Sequence, residues 1–317
     1  MSEKITVYAV VGPTASGKSA LALELAKRHG GEIISCDSMQ LYKRMDIGTA
    51  KPTPQEMAEV RHRMIDVAEP TESFSCADYV TMADGIVREI AAAGKYPIFC
   101  GGTGLYLDSL LRGGDFTPDI TDDGLRAELL EFARVNGNDA LHRELALVDP
   151  ESAEAIHKNN VKRVARAIEI YRLSGVPKSE IDRRSRQVEQ RFDIRCVGLF
   201  YEDRQELYSR IDRRVDTMLE MGLEAETREL LAEGVFDCNA TAAQAIGYKE
   251  LLGYIREEET LEEAVERLKM ATRRYAKRQI TWFSSKEYVT PVWVRDAQKE
   301  KTFEDIVNIA KKLLAEF

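Results

Sequence analysis

This sequence lacks the features that would indicate a membrane-spanning, disulfide-rich or secreted protein. No stretch of its 317 residues approaches the run of about 18 apolar residues that a membrane-spanning helix needs. The five cysteines are scattered without a C-x-x-C pair, which argues against a disulfide framework and a zinc site. Because the first residues lead almost directly into a predicted strand, no signal peptide is expected. We therefore predict a protein of the reducing cytoplasm with no membrane partner.

The sequence also lacks internal repeats, low-complexity segments and an overall excess of basic residues. Its length predicts about two domains, and its apolar and charged fractions, 44% and 31%, are typical of globular proteins. The net charge of −9 argues weakly against nucleic acid as a partner, although a total charge can conceal local basic patches.

The most specific local pattern lies near the N-terminus, where GPTASGKS fits G-x-x-x-x-G-K-[ST] at every fixed position. An apolar run precedes it and a helical spacing of apolar residues follows it, which is the context of a phosphate-binding loop. The alternative is a Gly-rich turn before an ordinary helix. In a phosphate-binding loop the backbone amides and the helix N-terminus would face an anion, Lys18 would add a charge, and the Ser19 hydroxyl could ligate Mg²⁺. The predicted phosphate site comprises Gly12, Pro13, Thr14, Ala15, Ser16, Gly17, Lys18 and Ser19.

Strand and helix patterns alternate through the first hundred residues, with further strands predicted at 31–36 and 96–100. This alternation predicts an α/β fold with a P-loop NTPase-like parallel sheet flanked by helices. In such sheets, ligands bind beyond the carboxyl ends of the strands. The phosphate loop, Asp37 and Thr103 all follow predicted strands, so we expect them at one site.

Asp37 has three interpretations on the residues alone. It could hold Mg²⁺, as the acid after a strand does in nucleotide hydrolases and kinases. It could be a general base for a substrate amine or hydroxyl, or it could only turn the loop. Gly101-Gly102-Thr103 is likewise either a flexible connection or a backbone that approaches an anion closely, with one hydroxyl donor.

The middle of the chain breaks the alternation, since helices are predicted at 123–136, 138–148, 150–157, 160–174 and 178–190 with no strand between them. We predict an inserted all-helical domain, residues 115–193, within a core formed by residues 1–114 and 194–317. Strand character resumes at Ile194.

Basic residues cluster in two stretches of this acidic chain. Residues 158–214 contain fifteen Lys or Arg against nine Asp or Glu, among them Lys162, Arg163 and Arg166. Residues 267–286 contain seven basic residues and no acid, beside aromatic residues, which favours binding to a nucleic-acid backbone over a solvated helix face. Arg210 and Arg214, one helical turn apart, could grip a phosphate or could pair with Asp212 and Asp216.

Together these motifs resemble the bacterial tRNA dimethylallyltransferase (tRNA isopentenyltransferase) family. The resemblance spans nearly the whole chain, with one departure at Lys162-Arg163, where the family often has Gln-Arg. The matching stretches are GPTASGKS (12–19), DSMQLY (37–42), DIGTAKP (46–52), HRMIDV (62–67), GGTGLY (101–106), RIDRRVDTMLEMGL (210–223), AIGYKE (245–250) and RRYAKRQITWF (273–283).

The resemblance implies a reaction in which a dimethylallyl group moves from its diphosphate to N6 of the adenosine just 3′ of the tRNA anticodon. Asp37 would accept the N6 proton, Thr103 and Arg214 would complete a catalytic clamp on the diphosphate with Arg210, and Mg²⁺ would bind at Ser19. The partners would be dimethylallyl diphosphate and the tRNA anticodon stem-loop, bound by a monomer. The residues expected to contact tRNA are Asp37, Ser38, Met39, Gln40, Lys162, Arg163, Arg166, Arg273, Arg274, Lys277 and Arg278.

Two other functions stay open at this point. A P-loop kinase of a small molecule or nucleoside would explain the phosphate loop and Asp37, but not the two basic stretches. A non-catalytic RNA-binding ATPase would explain the basic stretches, but would leave Asp37 and Thr103 in hydrolytic or structural roles.

Overall fold

The computed structural model describes residues 4–112, 121–187, 189–239, 241–296 and 299–314, and the chain forms two compact units. The first unit joins Met1–Leu110 to Phe192–Phe317, and the second is Leu111–Arg191. The domain limits drawn from the sequence stay a prediction, and the one between residues 114 and 115 lies outside the described residues.

Both ends of the chain contain strands as well as helices, and helices alone occupy the described part of its middle. The N-terminal part contains β1 (Thr6–Val11), α1 (Lys18–His29), β2 (Glu32–Cys36), α2 (Pro54–Glu59), β3 (His62–Arg63), α3 (Cys76–Ala92), β4 (Pro97–Gly101) and α4 (Gly104–Arg112). The middle part contains α5 (Asp123–Asn136), α6 (Asn138–Val148), α7 (Pro150–Ala155), α8 (Val161–Ser174) and α9 (Lys178–Gln187). The C-terminal part contains β5 (Asp193–Phe200), α10 (Arg204–Glu220), α11 (Leu223–Ala232), α12 (Val235–Cys238), a 3₁₀ turn (Ala242–Gln244), α13 (Leu252–Ile255), α14 (Leu261–Ser284), β6 (Val289–Trp293), β7 (Arg295–Asp296), β8 (Lys299–Glu300) and α15 (Phe303–Leu313).

Six strands of the first unit form one parallel sheet in the order β3-β2-β4-β1-β5-β6. Tyr8 and Val10 of β1 pack against α1 and α15, and the alternating residues Val7, Ala9 and Val11 are equally buried on the opposite face. A strand buried on both faces reads as a continuous apolar run, which is what β1 shows. The predicted α/β class, with a parallel sheet flanked by helices, is confirmed.

The register of the sheet positions three loops at one edge. Val11 at the end of β1 lies beside Gly101 at the end of β4, and Gly101 lies beside Cys36 at the end of β2. The loops that follow these strands therefore begin at the same level. The loops after β1, β2 and β4 carry the predicted phosphate-binding residues, Asp37 and Thr103 respectively.

The second unit is helical throughout its described part, residues 111–112, 121–187 and 189–191. As the sequence predicts, Pro150 is the first residue of α7, and the Asp149 carboxylate caps that helix by accepting from the Ser152 amide. The helices predicted to end at 157 and 190 end at Ala155 and Gln187, and residue 188 lies outside the described residues. Across the described ranges of the whole chain, no helix has both the length and the apolar character that crossing a membrane requires.

Glu226 of α11 explains why the DIGTAKP and AIGYKE segments occur together. Its carboxylate accepts hydrogen bonds from the backbone amides of Asp46, Ile47 and Gly48, at 2.9–3.1 Å, and from the Tyr248 hydroxyl at 2.7 Å. A Cβ at Gly48 would lie 2.5 Å from the Tyr248 ring, so the close approach of the two segments requires glycine. The two segments therefore hold each other in place.

We expect Glu226→Gln to lower the free energy of unfolding by about 2 kcal/mol, because hydrogen bonds to a charged acceptor contribute about 1.5–3 kcal/mol. The amide also turns an NH₂ group toward donors that need an acceptor. Denaturant unfolding checks this, with Glu229→Gln as the control, since Glu229 is exposed on the same helix. Equal stability of the two variants would contradict the structural role of Glu226.

Candidate active site

The phosphate loop has the strand–loop–helix context that the sequence predicts. A Cβ at Gly12 would lie 2.7 Å from the Leu199 carbonyl oxygen, and Gly12 has a φ of +144°, so both space and backbone conformation require glycine. Helix α1 begins at Lys18, directly after Gly17 in the left-handed conformation. The loop therefore directs the N-terminus of α1 into a cavity of about 360 Å³.

Among the residues that the structure describes, those lining this smaller cavity are uncharged or basic. Its walls are Ala15, Ser16, Gly17, Lys18, Ser19, Arg210, Arg213 and Arg214. Because a helix N-terminus and four cationic side chains meet there without a carboxylate in the lining, the cavity suits an anion of high charge.

Burial affects the pKa values of two of these cations, Lys18 and Arg214. Burial lowers the pKa of Lys18, and the nearby Arg214 guanidinium lowers it further, while Cys100 and Asp37 act in the opposite direction. Burial likewise lowers the pKa of Arg214, opposed by the charge of Asp37. A lowered pKa means that the site holds its positive charge at a cost, which a bound anion would relieve.

Arg210 and Arg214 face the phosphate loop rather than the acids beside them on α10. The Arg210 Nε donates to the Ala15 carbonyl oxygen at 2.9 Å, and Arg214 lines the smaller cavity. The alternative, in which this pair engages Asp212 and Asp216, is wrong. Those carboxylates pair with Arg273 and Lys269 of α14.

Asp37 and Thr103 lie beside each other at the sheet edge. The Ser38 amide donates to the Thr103 hydroxyl oxygen at 3.1 Å, and the Thr103 amide donates to the Cys36 carbonyl oxygen at 3.0 Å. The Met39 amide donates to the Asp37 Oδ1 at 2.9 Å, which fixes the orientation of the carboxylate. Asp37 and Thr103 therefore sit on two adjacent loops that are bonded to each other.

A larger cavity of about 420 Å³ connects Asp37 to the phosphate loop. Lys18, Ser19 and Arg214 line both cavities, so the two share a wall. The larger cavity also has an apolar part, to which Ile211, Val215, Met218, Ile246 and Leu268 contribute. A charged group and a small apolar group of one substrate could therefore be held side by side.

Of the residues predicted to contact tRNA, Ser38, Met39 and Gln40 all line the larger cavity. The Gln40 amide, however, is already used within the fold. Its Oε1 accepts from the Ser35 hydroxyl, and its Nε2 donates to the carbonyl oxygens of Thr49 and Ala50 at 3.1–3.2 Å. Gln40 therefore holds the 49–50 loop, and reading a base edge would require it to break those bonds.

Helix α14 is less uniformly basic in the structure than in the sequence, because acids from other elements meet it. Four cations of the basic stretch at 267–286 are paired, in Arg267–Glu259, Lys269–Asp216, Arg273–Asp212 and Lys286–Asp108. Within the described residues, Arg274, Lys277 and Arg278 are exposed and have no ion pair. The cationic surface of this helix is thus narrower than predicted, and Arg278 also lines the larger cavity.

The second unit carries the other predicted cations on α8. Lys162 and Arg163 are exposed in its first turn. Arg166 is paired with Glu169, whose fully buried carboxylate also accepts from Arg126. Arg166 therefore has a structural partner, whereas Lys162 and Arg163 lack an ion pair in the described part of the unit.

Gln279, a buried residue of α14, contacts the phosphate loop and was not predicted from the sequence. The Thr14 amide donates to Gln279 Oε1 at 2.8 Å. The only signal in the sequence is an uncharged amide in an otherwise basic stretch, which is too weak to identify a site residue.

The donor set suits a hard divalent cation bound mainly through phosphate. No group of three or more His, Cys, Asp or Glu side chains that could hold a metal occurs among the residues the structure describes. The Ser19 hydroxyl and the Asp37 carboxylate do line the larger cavity together. Mg²⁺ needs only one or two protein oxygens when substrate phosphates and water complete its shell, so these residues fit it.

Comparison with known proteins identifies the family. The model of the IPP transferase family matches residues 40–286. The chain belongs to the IPP transferase family. It is 47% identical to the tRNA dimethylallyltransferase of Acetivibrio thermocellus over 311 residues, which cover 98% of each chain. It is also 47% identical to that of Bacillus cytotoxicus, over 98% of this chain and 96% of the relative.

Solved structures of this family have the same fold. The full-length tRNA isopentenylpyrophosphate transferase of Bacillus halodurans is 42% identical, with a TM-score of 0.69 over 98% of this chain and 97% of that one. A eukaryotic dimethylallyltransferase, described as acting on tRNA, is 30% identical, with a TM-score of 0.77 over 93% of this chain and 75% of that one. The predicted family resemblance and the P-loop NTPase-like fold are therefore confirmed.

Proposed function

We propose that this chain is a tRNA dimethylallyltransferase that prenylates N6 of the adenosine 3′ to the anticodon and releases pyrophosphate. The observation that carries the proposal is the larger cavity, which Asp37 lines together with Lys18 of the phosphate loop and Arg214 of α10. A transferase needs both an anion site for the leaving group and a base for the attacking amine. The names of the relatives supply the substrate class.

In this proposal the N6 nitrogen attacks C1 of the dimethylallyl group, so that a C–N bond forms as the C–O bond to the diphosphate breaks. The electron pair of the C–O bond leaves with pyrophosphate, and the N6 proton passes to Asp37. Lys18, Arg210 and Arg214 stabilise the charge that develops on the leaving group. The Thr103 hydroxyl oxygen accepts a hydrogen bond from the Ser38 amide. In this proposal the same hydroxyl donates a hydrogen bond to the diphosphate.

The reaction of the family uses a divalent metal. We propose Mg²⁺ as that ion and the Ser19 hydroxyl as its protein ligand. When bound, it would supply positive charge to the diphosphate oxygens.

We further propose that the anticodon stem-loop of tRNA is bound by a monomer of this chain. The cations suited to its phosphates are Arg274, Lys277 and Arg278 of α14, together with Lys162 and Arg163 of the helical domain at 115–193. The target adenosine lies in a single-stranded loop, so extruding it costs only a few kcal/mol.

The function is tested by incubating the purified chain with Mg²⁺, dimethylallyl diphosphate labelled in the prenyl group, and unmodified tRNA, without ATP. Label in the tRNA nucleoside is the expected result. If label passes instead from the γ-phosphate of ATP to a small molecule or nucleoside, the chain is a kinase. If tRNA is bound and ATP is hydrolysed without transfer, it is an RNA-binding ATPase.

The tRNA surface yields a separate prediction. Replacing Arg274 and Arg278 with alanine is expected to weaken tRNA binding and to lower the slope of log K against log salt by about 2, because each unpaired cation at a phosphate releases roughly one counterion. Filter binding across a salt series measures this slope.

The matched control is the double variant Arg267→Ala with Lys269→Ala on the same helix. It removes the same charge, but from cations already paired with Glu259 and Asp216. If both double variants lower the salt slope equally, net charge alone explains the effect, and α14 does not contact the phosphates through its exposed cations.

A further inference from the structure

Gln279 bridges two loops of the active site with a single side chain. Its Oε1 accepts from the Thr14 amide of the phosphate loop at 2.8 Å, and its Nε2 donates to the Gly102 carbonyl oxygen at 3.1 Å. The side chain is only 4% exposed, so water competes little for either bond. Both ends of the amide are thus committed to backbone groups of different loops.

Gly102 packs closely against the Gln279 amide. A Cβ at Gly102 would lie 1.8 Å from the Gln279 Nε2, so a side chain at this position would force the end of the Gln279 side chain to move. Gly102 directly precedes Thr103, and Thr103 is bonded through its amide to Cys36 and through its hydroxyl to Ser38. A shift of Gln279 would therefore be transmitted to Thr103 and the Asp37 loop.

The bond to Thr14 acts on the other side of the site. Because the Thr14 amide donates to Gln279, it is not available to a bound anion, and it fixes the backbone just before Ala15, Ser16 and Gly17. Those residues form the wall of the smaller cavity. The position of Gln279 therefore sets the distance between the anion cavity and the loop that carries Thr103.

We infer that Gln279 is a positioning residue that holds the phosphate loop and the Gly101–Thr103 loop in register for transfer. This inference rests on the proposed function for its effect on rate, but its effect on anion binding does not depend on that function. The adjacent residue, Arg278, is exposed and lines the larger cavity. One turn of α14 therefore presents Arg278 to solvent and Gln279 to the phosphate loop. Gln279 itself also lines the larger cavity, and the inference does not depend on a contact between its side chain and a substrate there.

The test uses the full chain with Gln279→Met, which keeps the length of the side chain and removes both hydrogen bonds. Pyrophosphate affinity is measured by calorimetry, and prenyl transfer by single turnover with saturating tRNA. We expect the transfer rate to be about 10- to 100-fold lower, because displacing reacting groups by up to about 1 Å slows a reaction by that order. We also expect weaker pyrophosphate binding. Affinity for tRNA is expected to be unchanged.

Asn239→Met is the matched control, because Asn239 is another buried amide that bridges backbone groups, donating to Pro70 and Glu72 carbonyls and accepting from the Thr241 and Ala242 amides. It should lower thermal stability without changing pyrophosphate affinity. The inference is overturned if Gln279→Met binds pyrophosphate as the wild type does, or if Asn239→Met reproduces its defects. If the wild type transfers no prenyl group, the proposed function fails, while the pyrophosphate comparison still decides the role of Gln279.

Discussion

Replacing Asp37 with asparagine is expected to lower the single-turnover rate of prenyl transfer by about 10²- to 10⁴-fold, the usual contribution of a general base. Asparagine has the same shape and keeps an oxygen that can accept from the Met39 amide, so the loop should retain its conformation. It cannot accept the N6 proton. Binding of tRNA and of pyrophosphate should therefore remain at the wild-type level while the chemical step is lost.

The same variant separates the two functional interpretations of Asp37. A general base that has been removed is not restored by more Mg²⁺, whereas a lost metal ligand is compensated, at least in part, by raising the Mg²⁺ concentration. Asp237→Asn, an exposed carboxylate outside both cavities, is the control. Recovery of Asp37→Asn activity at high Mg²⁺ would assign Asp37 to the metal, and wild-type activity at all concentrations would remove it from the chemistry.

Much of the fold could be predicted because its strongest signals are local. Strands β2, β4 and β5 each lie within one residue of their predicted bounds, since buried parallel strands produce continuous apolar runs. Strand β6 was not predicted, and its sequence VTPVW shows why. Pro291 is unsuited to a central strand, and only the tertiary structure reveals that β6 occupies an edge, where proline is tolerated.

The candidate site was predictable where a residue's location follows from its position after a strand. The phosphate loop, Asp37 and Thr103 meet because parallel strands end at one edge, which the sequence pattern implies. Side-chain pairing across distant segments is different, because it depends on packing that no local pattern contains. The pairs Arg273–Asp212 and Lys269–Asp216 join α14 to α10, so counting charges along α14 alone overestimated its exposed cations. Gln279 was missed for the same reason, since its partners lie 265 and 177 residues away.

Replacing Lys18 with methionine is expected to lower the transfer rate by about 10²- to 10³-fold, the loss typical when one group that stabilises developing negative charge is removed. The same change should make the substrate-free protein more resistant to unfolding. Burial lowers the pKa of Lys18 in the folded state, so keeping it protonated there costs free energy that an unfolded lysine does not incur. Methionine fills the same space without that cost.

The sign of this effect can be checked with pH. Because the folded pKa of Lys18 is lower than its unfolded value, the unfolded chain binds more protons between the two, and the stability contributed by this site rises with pH in that window. Below the folded pKa the destabilisation is complete, so the difference in stability between Lys18→Met and the wild type should be largest there. It should shrink as the pH is raised toward the ordinary lysine value.

Thermal unfolding with and without pyrophosphate measures the cost of burying the Lys18 charge and the relief of that cost by a bound anion. The wild type should gain much more stability from pyrophosphate than Lys18→Met, because the anion relieves the charge that destabilises the empty site. Lys27→Met is the control on the same helix, since Lys27 is exposed and its pKa is raised by Glu59 rather than lowered by burial. If Lys18→Met were less stable than the wild type without pyrophosphate, Lys18 would be a structural cation. The burial that lowers the pKa of Lys18 would then not contribute to the affinity for the diphosphate.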